Sequence, residues 1–172
     1  MNTPTPTFKT DRLLIRAITD ADLENIYHGL SNPEVIKHYG ISFDSLEATK
    51  EQMLWFADEK QMWWAICALD NQSFYGAAGL NDINHQEHKA EIGLWLLPQF
   101  WGKGIMKEVL NLISDYGLNQ LNLNRIEGFV ETENTNCKRA MAKLNFKLEK
   151  TLKDCELKNG KLISLDVYAK TS

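Results

Sequence analysis

Cysteine is scarce in this chain of 172 residues, and the three present (Cys67, Cys137 and Cys155) are odd in number, widely spaced and include no C-x-x-C pair. That argues against a disulfide framework or a structural zinc site, and a reducing cytoplasm fits. The N-terminus, M-N-T-P-T-P-T, has neither a basic start nor an apolar stretch, so it does not read as a signal peptide. No apolar run approaches the ~20 residues needed to span a bilayer. A basic surplus is missing too. Lys and Arg number 19 against 23 Asp and Glu, a net charge of −4, which argues against a general nucleic-acid-binding surface. The nearest approach to a metal-ligand cluster, His85-x-x-His88 with Glu87, sits in a polar turn with no fourth ligand type and reads as loop surface; no metal is expected. There is no linker, internal repeat or low-complexity block beyond a short Thr/Pro stretch. The expectation is one soluble, cytoplasmic domain over residues 8–170 behind a short flexible tail at 1–7.

What is present suffices for a full α/β core, with 44% hydrophobic and 24% charged residues. Arg12 to Ala17 predicts a first strand. Thr19-x-x-Asp22 opens a helix with Leu23, Ile26, Tyr27 and Leu30 at helical spacing. After Asn32-Pro33 a short turn carries Val35 and Ile36, and Asp44-x-x-Glu47 opens a further helix with Leu46, Met53, Leu54 and Phe56. Met62–Leu69 and Phe74–Leu80 read as a hairpin, and Lys89–Leu97 as the next strand. A helix with Ile105, Val109, Leu112, Ile113 and Tyr116 on one face exits at Gly117, a plausible C-cap. A strand at Arg125–Glu131, a short helix at Asn136–Leu144 stopped by Asn145, and two late strands joined by Asn159-Gly160 complete the chain. The order is β-αα-βββ-α-β-α-ββ.

Between the third and fourth of these layers lies the most informative segment, Glu91–Lys107 (E-I-G-L-W-L-L-P-Q-F-W-G-K-G-I-M-K). It runs strand, glycine turn, helix start, which presents unpaired N–H groups and a positive dipole end to an anion such as a phosphate. The Walker spacing G-x-x-x-x-G-K-S/T is absent, and Gly102-Lys103-Gly104 lacks the third glycine of the dinucleotide fingerprint. The W-G-K-G-I-M run instead resembles motif A of the GNAT acetyltransferases, Gln/Arg-x-x-Gly-x-Gly/Ala, with Trp101, Gly104 and Met106 in the three slots. A frame from Gln99 matches the letters better but leaves little chain after Pro98. The opening T-D-R-L-L-I-R, the E-I-G-x-W strand and N-G-K near the end are similar to the Rim-type branch, which acetylates protein N-termini, especially of ribosomal proteins. The resemblance covers about residues 8–170. It implies a single-domain GNAT fold, with a mixed, mostly antiparallel sheet splayed at the cofactor site.

The resemblance also implies acetyl-CoA as cofactor, its pyrophosphate held by the backbone at Gly102, Lys103, Gly104, Ile105, Met106 and Lys107. Leu94, Trp95 and Leu96 occupy the positions whose free amides pair with pantetheine, Leu94 N–H being the candidate to polarise the thioester carbonyl. Asn134, in E-N-T-N-C, matches the asparagine that bonds the pantetheine arm and suits a helix N-cap equally well. Cys137 stands where Ser is usual and either protonates the departing thiolate or only packs; the general-acid Tyr of other members would fall near Met141 and is absent. For the base, Glu156 before Asn-Gly and Glu91 at the strand start are the candidates, and each reads equally as a surface glutamate. Trp55, Trp63 and Trp64 cluster where the family recognises its acceptor, with one of the last two expected in the groove or in the core. The expected acceptor is a protein N-terminus, as on a ribosomal protein, with a small amine (antibiotic, amino acid or polyamine) as the alternative, the protein acting as monomer or homodimer. The rival from another class is a catalytically silent coenzyme A-binding module.

Overall fold

The computed structural model describes residues 4–172. In spatial order its sheet runs β1 (Phe8–Lys9), β2 (Leu13–Ala17), β3 (Met62–Ala68), β4 (Phe74–Asn84), β5 (Lys89–Leu96), β6 (Arg125–Glu131), β8 (Lys161–Thr171) and β7 (Lys147–Lys158). All neighbours are antiparallel except β5 and β6. Helices α1 (Leu23–Leu30), α2 (Pro33–Ile36) and α3 (Leu46–Phe56) lie between β2 and β3; α4 (Ile105–Asn119) links β5 to β6, and α5 (Thr135–Lys143) links β6 to β7. This is the expected order with a two-residue strand added in front and the short turn at 33–36 forming a helix of its own. Of the expected tail, residues 1–3 lie outside the described residues, and the Pro6 carbonyl already accepts a hydrogen bond from the Trp64 indole at 2.8 Å.

Because side chains alternate along a strand, the sheet buries two cores. Trp64 packs with Ile15, Leu80, Val109, Ile113 and Ile126 on one face. Its neighbour Trp63 packs with Ile26, Leu30, Val35 and Trp95 on the other, against the α1–α3 layer. Trp55 joins that second core, and none of the three tryptophans borders either of the two cavities described below, so of the two expected placements the core holds. Fully burying a large apolar side chain is worth roughly 1.5–3 kcal/mol, which fixes both faces.

Local signals differ from expectation in instructive ways. The cap of α3 is Ser45, whose Oγ accepts from the Ala48 amide at 3.0 Å, one residue after the expected Asp44. Leu54 of that helix is 75% exposed rather than packed. Gly117 is not a C-cap. It lies inside α4, where an added Cβ would come within 2.8 Å of Ile126 Cδ1, so glycine allows helix and sheet to approach. Asn145 does take the left-handed conformation that ends α5 (φ 67), and Asn159-Gly160 form the tight turn with φ 51 and 77. A bulge between Leu152 and Glu156 breaks the register of β7 against β8 and bends the outer half of this long hairpin. No helix among the described residues is long and apolar enough to cross a membrane.

The feature that creates the site is a failure of pairing. β5 and β6 are in register only at Lys89–Arg125, Ala90–Ile126 and Glu91–Glu127. Beyond Glu91, β5 continues against β4 and β6 against β8, and the sheet opens.

Candidate active site

The opened strand exposes backbone. In an antiparallel pair, alternate residues turn their N–H and C=O to the same neighbour. Leu97 N–H donates to Tyr75 O at 2.9 Å, so Trp95 and Gly93 also face β4, while Leu94 and Leu96 face the gap. The Leu96 carbonyl is taken by the Trp101 indole N–H at 2.9 Å. Leu94 N–H and C=O and Leu96 N–H remain directed into the opening. Trp95 is the correction here: it borders the cavity, but its polar backbone groups are committed to β4 and its ring lies in the second core.

The turn that follows needs both of its glycines, since Gly102 and Gly104 have φ of 74 and 76, which side chains with a Cβ rarely adopt. Gly104 precedes α4, whose first intrahelical bond is Glu108 N–H to Gly104 O, leaving the amides of Ile105, Met106 and Lys107 without a helical partner. Arg12 locks the turn from outside. Its Nη1 donates to Lys103 O at 2.8 Å and its Nε and Nη2 to Glu108 Oε2 at 2.9 and 2.8 Å. Lys103, its carbonyl held by Arg12 and its ammonium near the Phe100 ring, is not among the turn residues that border the cavity. Arg12 was visible only as part of T-D-R-L-L-I-R; nothing local said that it would reach 91 residues along the chain.

A cavity of about 540 Å³ lies between this turn and α5. Besides the turn and Leu94, it is bordered by Asn134 and by three cations, Lys107, Arg139 and Lys143, with Glu34 as the one carboxylate. The two α5 cations went unnoticed in the sequence, although their i, i+4 spacing puts them on one helix face. Asn134 caps α5, its Oδ1 accepting from Cys137 N–H at 3.3 Å. Open strand amides, a left-handed glycine turn, a helix N-terminus and a cationic rim together fit a long, phosphate-bearing thioester cofactor.

On the other side of Leu94 lies a second cavity, of about 310 Å³. Its charged lining is acidic: Glu91, Glu131 and Glu156. The structure thus brings Glu91 and Glu156 together, although they stand at opposite ends of the late half of the chain. Burial and the repulsion of Asp82, Glu127 and Glu156 push the Glu91 carboxyl up to about 7. Lys158, next to the hairpin turn, donates to Lys37 O and to Glu131 Oε2, each at 2.8 Å, and so ties the late hairpin down beside this cavity. His38 Nδ1 sits 3.4 Å from Glu131 Oε1. His38, Tyr39, Leu94, Met106 and Asn134 border both cavities. Cys137 borders only the acidic one, and burial pushes its thiol up to about 11. Passing a proton from such a thiol to a thiolate of ordinary acidity (~8.5) would run uphill by roughly 3 kcal/mol. That disfavours the donor role and leaves packing.

The GNAT acetyltransferase domain model matches residues 12–147. The chain is 32% identical over 169 residues to an uncharacterized N-acetyltransferase, YoaA, of Bacillus subtilis, covering 95% of this chain and 96% of that one. It is 34% identical over 74 residues to the spermidine N(1)-acetyltransferase of Escherichia coli K12, a match covering 43% of this chain and 40% of that protein. Spermidine N-acetyltransferase from Vibrio cholerae, solved in complex with CoA and spermine, superposes with a TM-score of 0.86 at 21% identity over 94% of this chain and 96% of that chain. The chain belongs to the GNAT acetyltransferase family. It is an acetyl-CoA-dependent N-acetyltransferase with the family's α/β fold.

Proposed function

We propose that the acceptor is a small polycationic amine of the polyamine class, drawn into the acidic cavity and acetylated at a primary amine beside Leu94. The observation that carries this reading is the cluster of Glu91, Glu131 and Glu156 around one cavity with no lysine or arginine in its lining. Carboxylates spread along a cavity suit several positive charges better than one. The local likeness to a spermidine acetyltransferase supports the same class. A protein N-terminus is the second reading, favoured by the Rim-type segments of the sequence, and its α-ammonium would use the same carboxylates.

Acetyl-CoA, when bound, supplies the acetyl group activated as a thioester. The amides of Gly102, Gly104, Ile105, Met106 and Lys107 would hold its pyrophosphate, with Lys107, Arg139 and Lys143 balancing its charge. Leu94 and Leu96 N–H would pair with the pantetheine arm, and Leu94 N–H is the donor for the charge that develops on the carbonyl oxygen. Glu91 takes the proton from the acceptor ammonium: a carboxyl held near 7 is half ionised at neutral pH and strong enough as a base. Glu156 contributes to the field that binds the amine and raises Glu91. Holding both reactants at one point of the opened sheet supplies much of the acceleration. The three free cysteines suit a cytoplasmic enzyme.

The test is release of free thiol from acetyl-CoA with a panel of acceptors at one pH and ionic strength. Turnover with spermidine or spermine at a kcat/KM at least tenfold above that for short peptides with free Ala or Ser N-termini is expected. The reverse order hands the site to protein N-termini. Tight acetyl-CoA binding with no acceptor turned over at all would favour the silent module.

A further inference from the structure

Acyl transfer from a thioester to an amine requires one proton to leave nitrogen and one to arrive at sulfur, on opposite sides of Leu94. Cys137 lines only the acidic cavity, and its buried thiol is the weaker acid of the pair. Met141, where other family members would place a tyrosine, has no proton to give. Of the five residues that border both cavities, Leu94, Met106 and Asn134 have no acidic proton, and Tyr39 is held above the ordinary phenol range by burial and by Glu91. His38 is the fifth.

We propose that His38, oriented by Glu131, is the proton shuttle of this enzyme, delivering a proton to the leaving sulfur and recovering one from the acylated nitrogen. This rests on the assignment of the two cavities to cofactor and amine. The geometry is that of a built pair rather than a stray surface histidine. Glu131 Oε1 lies 3.4 Å from Nδ1, and Oε2 is fixed by Lys158 at 2.8 Å. The Glu131 side chain is only 11% exposed, and His38 only 26%. A carboxylate on Nδ1 holds the ring in one orientation and leaves Nε2 as the working nitrogen. Lys158, also hydrogen-bonded to the Lys37 carbonyl next to His38 in sequence, joins the hairpin to the segment that carries the imidazole.

The balance closes without another reagent. Glu91 deprotonates the acceptor ammonium, the free amine forms the N–C bond, and the C–S bond breaks. Imidazolium Nε2–H protonates the departing sulfur, and the neutral ring then accepts the proton that the new amide nitrogen sheds. His38 ends as it began; of the two protons the ammonium has lost, one has reached sulfur through the ring and the other leaves Glu91 for water. His38, Glu131 and Lys158 come from three separate elements, the segment after α2, the end of β6 and the tip of β7, so no contiguous motif could announce them.

Two measurements test it. In the first, His38→Gln and His38→Ala are compared with the native protein, using the best amine of the acceptor panel. Loss of kcat of about 100-fold or more, the usual range for a general acid–base group, is expected with KM for acetyl-CoA within threefold, together with partial recovery of the Ala variant by added imidazole. Glu131→Gln is expected to cost about tenfold in kcat. A His38→Gln enzyme with native kcat overturns the proposal. The second needs no acceptor and no turnover: the imidazole ¹⁵N resonances of the folded protein, followed on adding CoA and, separately, desulfo-CoA. A shift at His38 Nε2 with CoA that desulfo-CoA does not reproduce supports the shuttle. Equal shifts with both ligands place no sulfur at the ring and overturn it. Failure of the polyamine reading leaves both results unaffected.

Discussion

The cavity at the head of α4 and the cavity under the late hairpin share a wall at Leu94, yet they are built from different materials. The first is made of backbone: amides of an unpaired strand edge, a turn of two left-handed glycines and the start of a helix, with Lys107, Arg139 and Lys143 at its rim. The second is made of side chains, and its charge is that of Glu91, Glu131 and Glu156. A protein with a net charge of only −4 thus sorts its charges by cavity, cations around the first and carboxylates around the second. The difference also has a consequence for tolerance. A backbone site breaks when the chain cannot adopt its conformation, and a side-chain site when a functional group is lost.

The largest effect should come from the backbone site. Gly104→Val forces a β-branched residue into φ 76 and brings a Cβ against Arg12 Nη2, 3.6 Å from the ideal Cβ position. Strain of a few kcal/mol at the turn should weaken acetyl-CoA binding by about 100-fold or more in isothermal titration, with the acidic cavity intact. Retained affinity would mean that the turn only shapes the fold.

Glu91→Gln tests the other side. A loss in kcat of about 100-fold is expected, along with loss of the limb over which activity rises as pH climbs through 7. The same variant should be more stable. Glu91 is raised from about 4.5 to about 7 in the folded protein, so between those values the native state holds the extra proton and stability falls as pH rises. Above pH 7 the charged, half-buried carboxylate remains a net cost, and Glu91→Gln should raise unfolding free energy by on the order of 2 kcal/mol there and by little at pH 4. Chemical denaturation at the two pH values checks the sign.

Arg12→Ala should come next. It frees the Lys103 carbonyl and Glu108 without touching either cavity, and a roughly tenfold loss in acetyl-CoA affinity is expected for a hydrogen-bonded clamp of this kind. Single replacements of Lys107, Arg139 or Lys143 by Ala should each cost only about threefold, shrinking as salt is added, because exposed charges are screened. The smallest effect is expected at Cys137→Ala, with kcat changed by no more than about twofold. A drop beyond tenfold there, repaired in Cys137→Ser, would restore the thiol as proton donor.

The same contrast explains how much could be read in advance. Strand, glycine turn and helix start are contiguous, so residues 91–107 announced the local geometry that borders the first cavity, and Asn145 and Asn159-Gly160 announced their stops because their conformations are local. Lys103 does not border that cavity with its neighbours, and the contact that holds its carbonyl comes from Arg12, far away in sequence. Trp95 was placed wrongly in part because strand parity is set by the register against β4. Gly117 was read as a stop because a buried helix–sheet contact and a C-cap leave the same letter in the sequence.

By itself, then, the sequence determined the fold class, the order of elements and the strand, glycine turn and helix start at residues 91–107, since each depends on local propensity and on periodic burial. Only the tertiary structure decided which charges face each other. Glu91, Glu131 and Glu156 come from β5, β6 and β7, and His38 from a segment before any of them. Electrostatic and proton-transfer properties depend on distances of a few ångströms between residues that are distant in the chain, and those distances exist only after the sheet has formed and opened at β5.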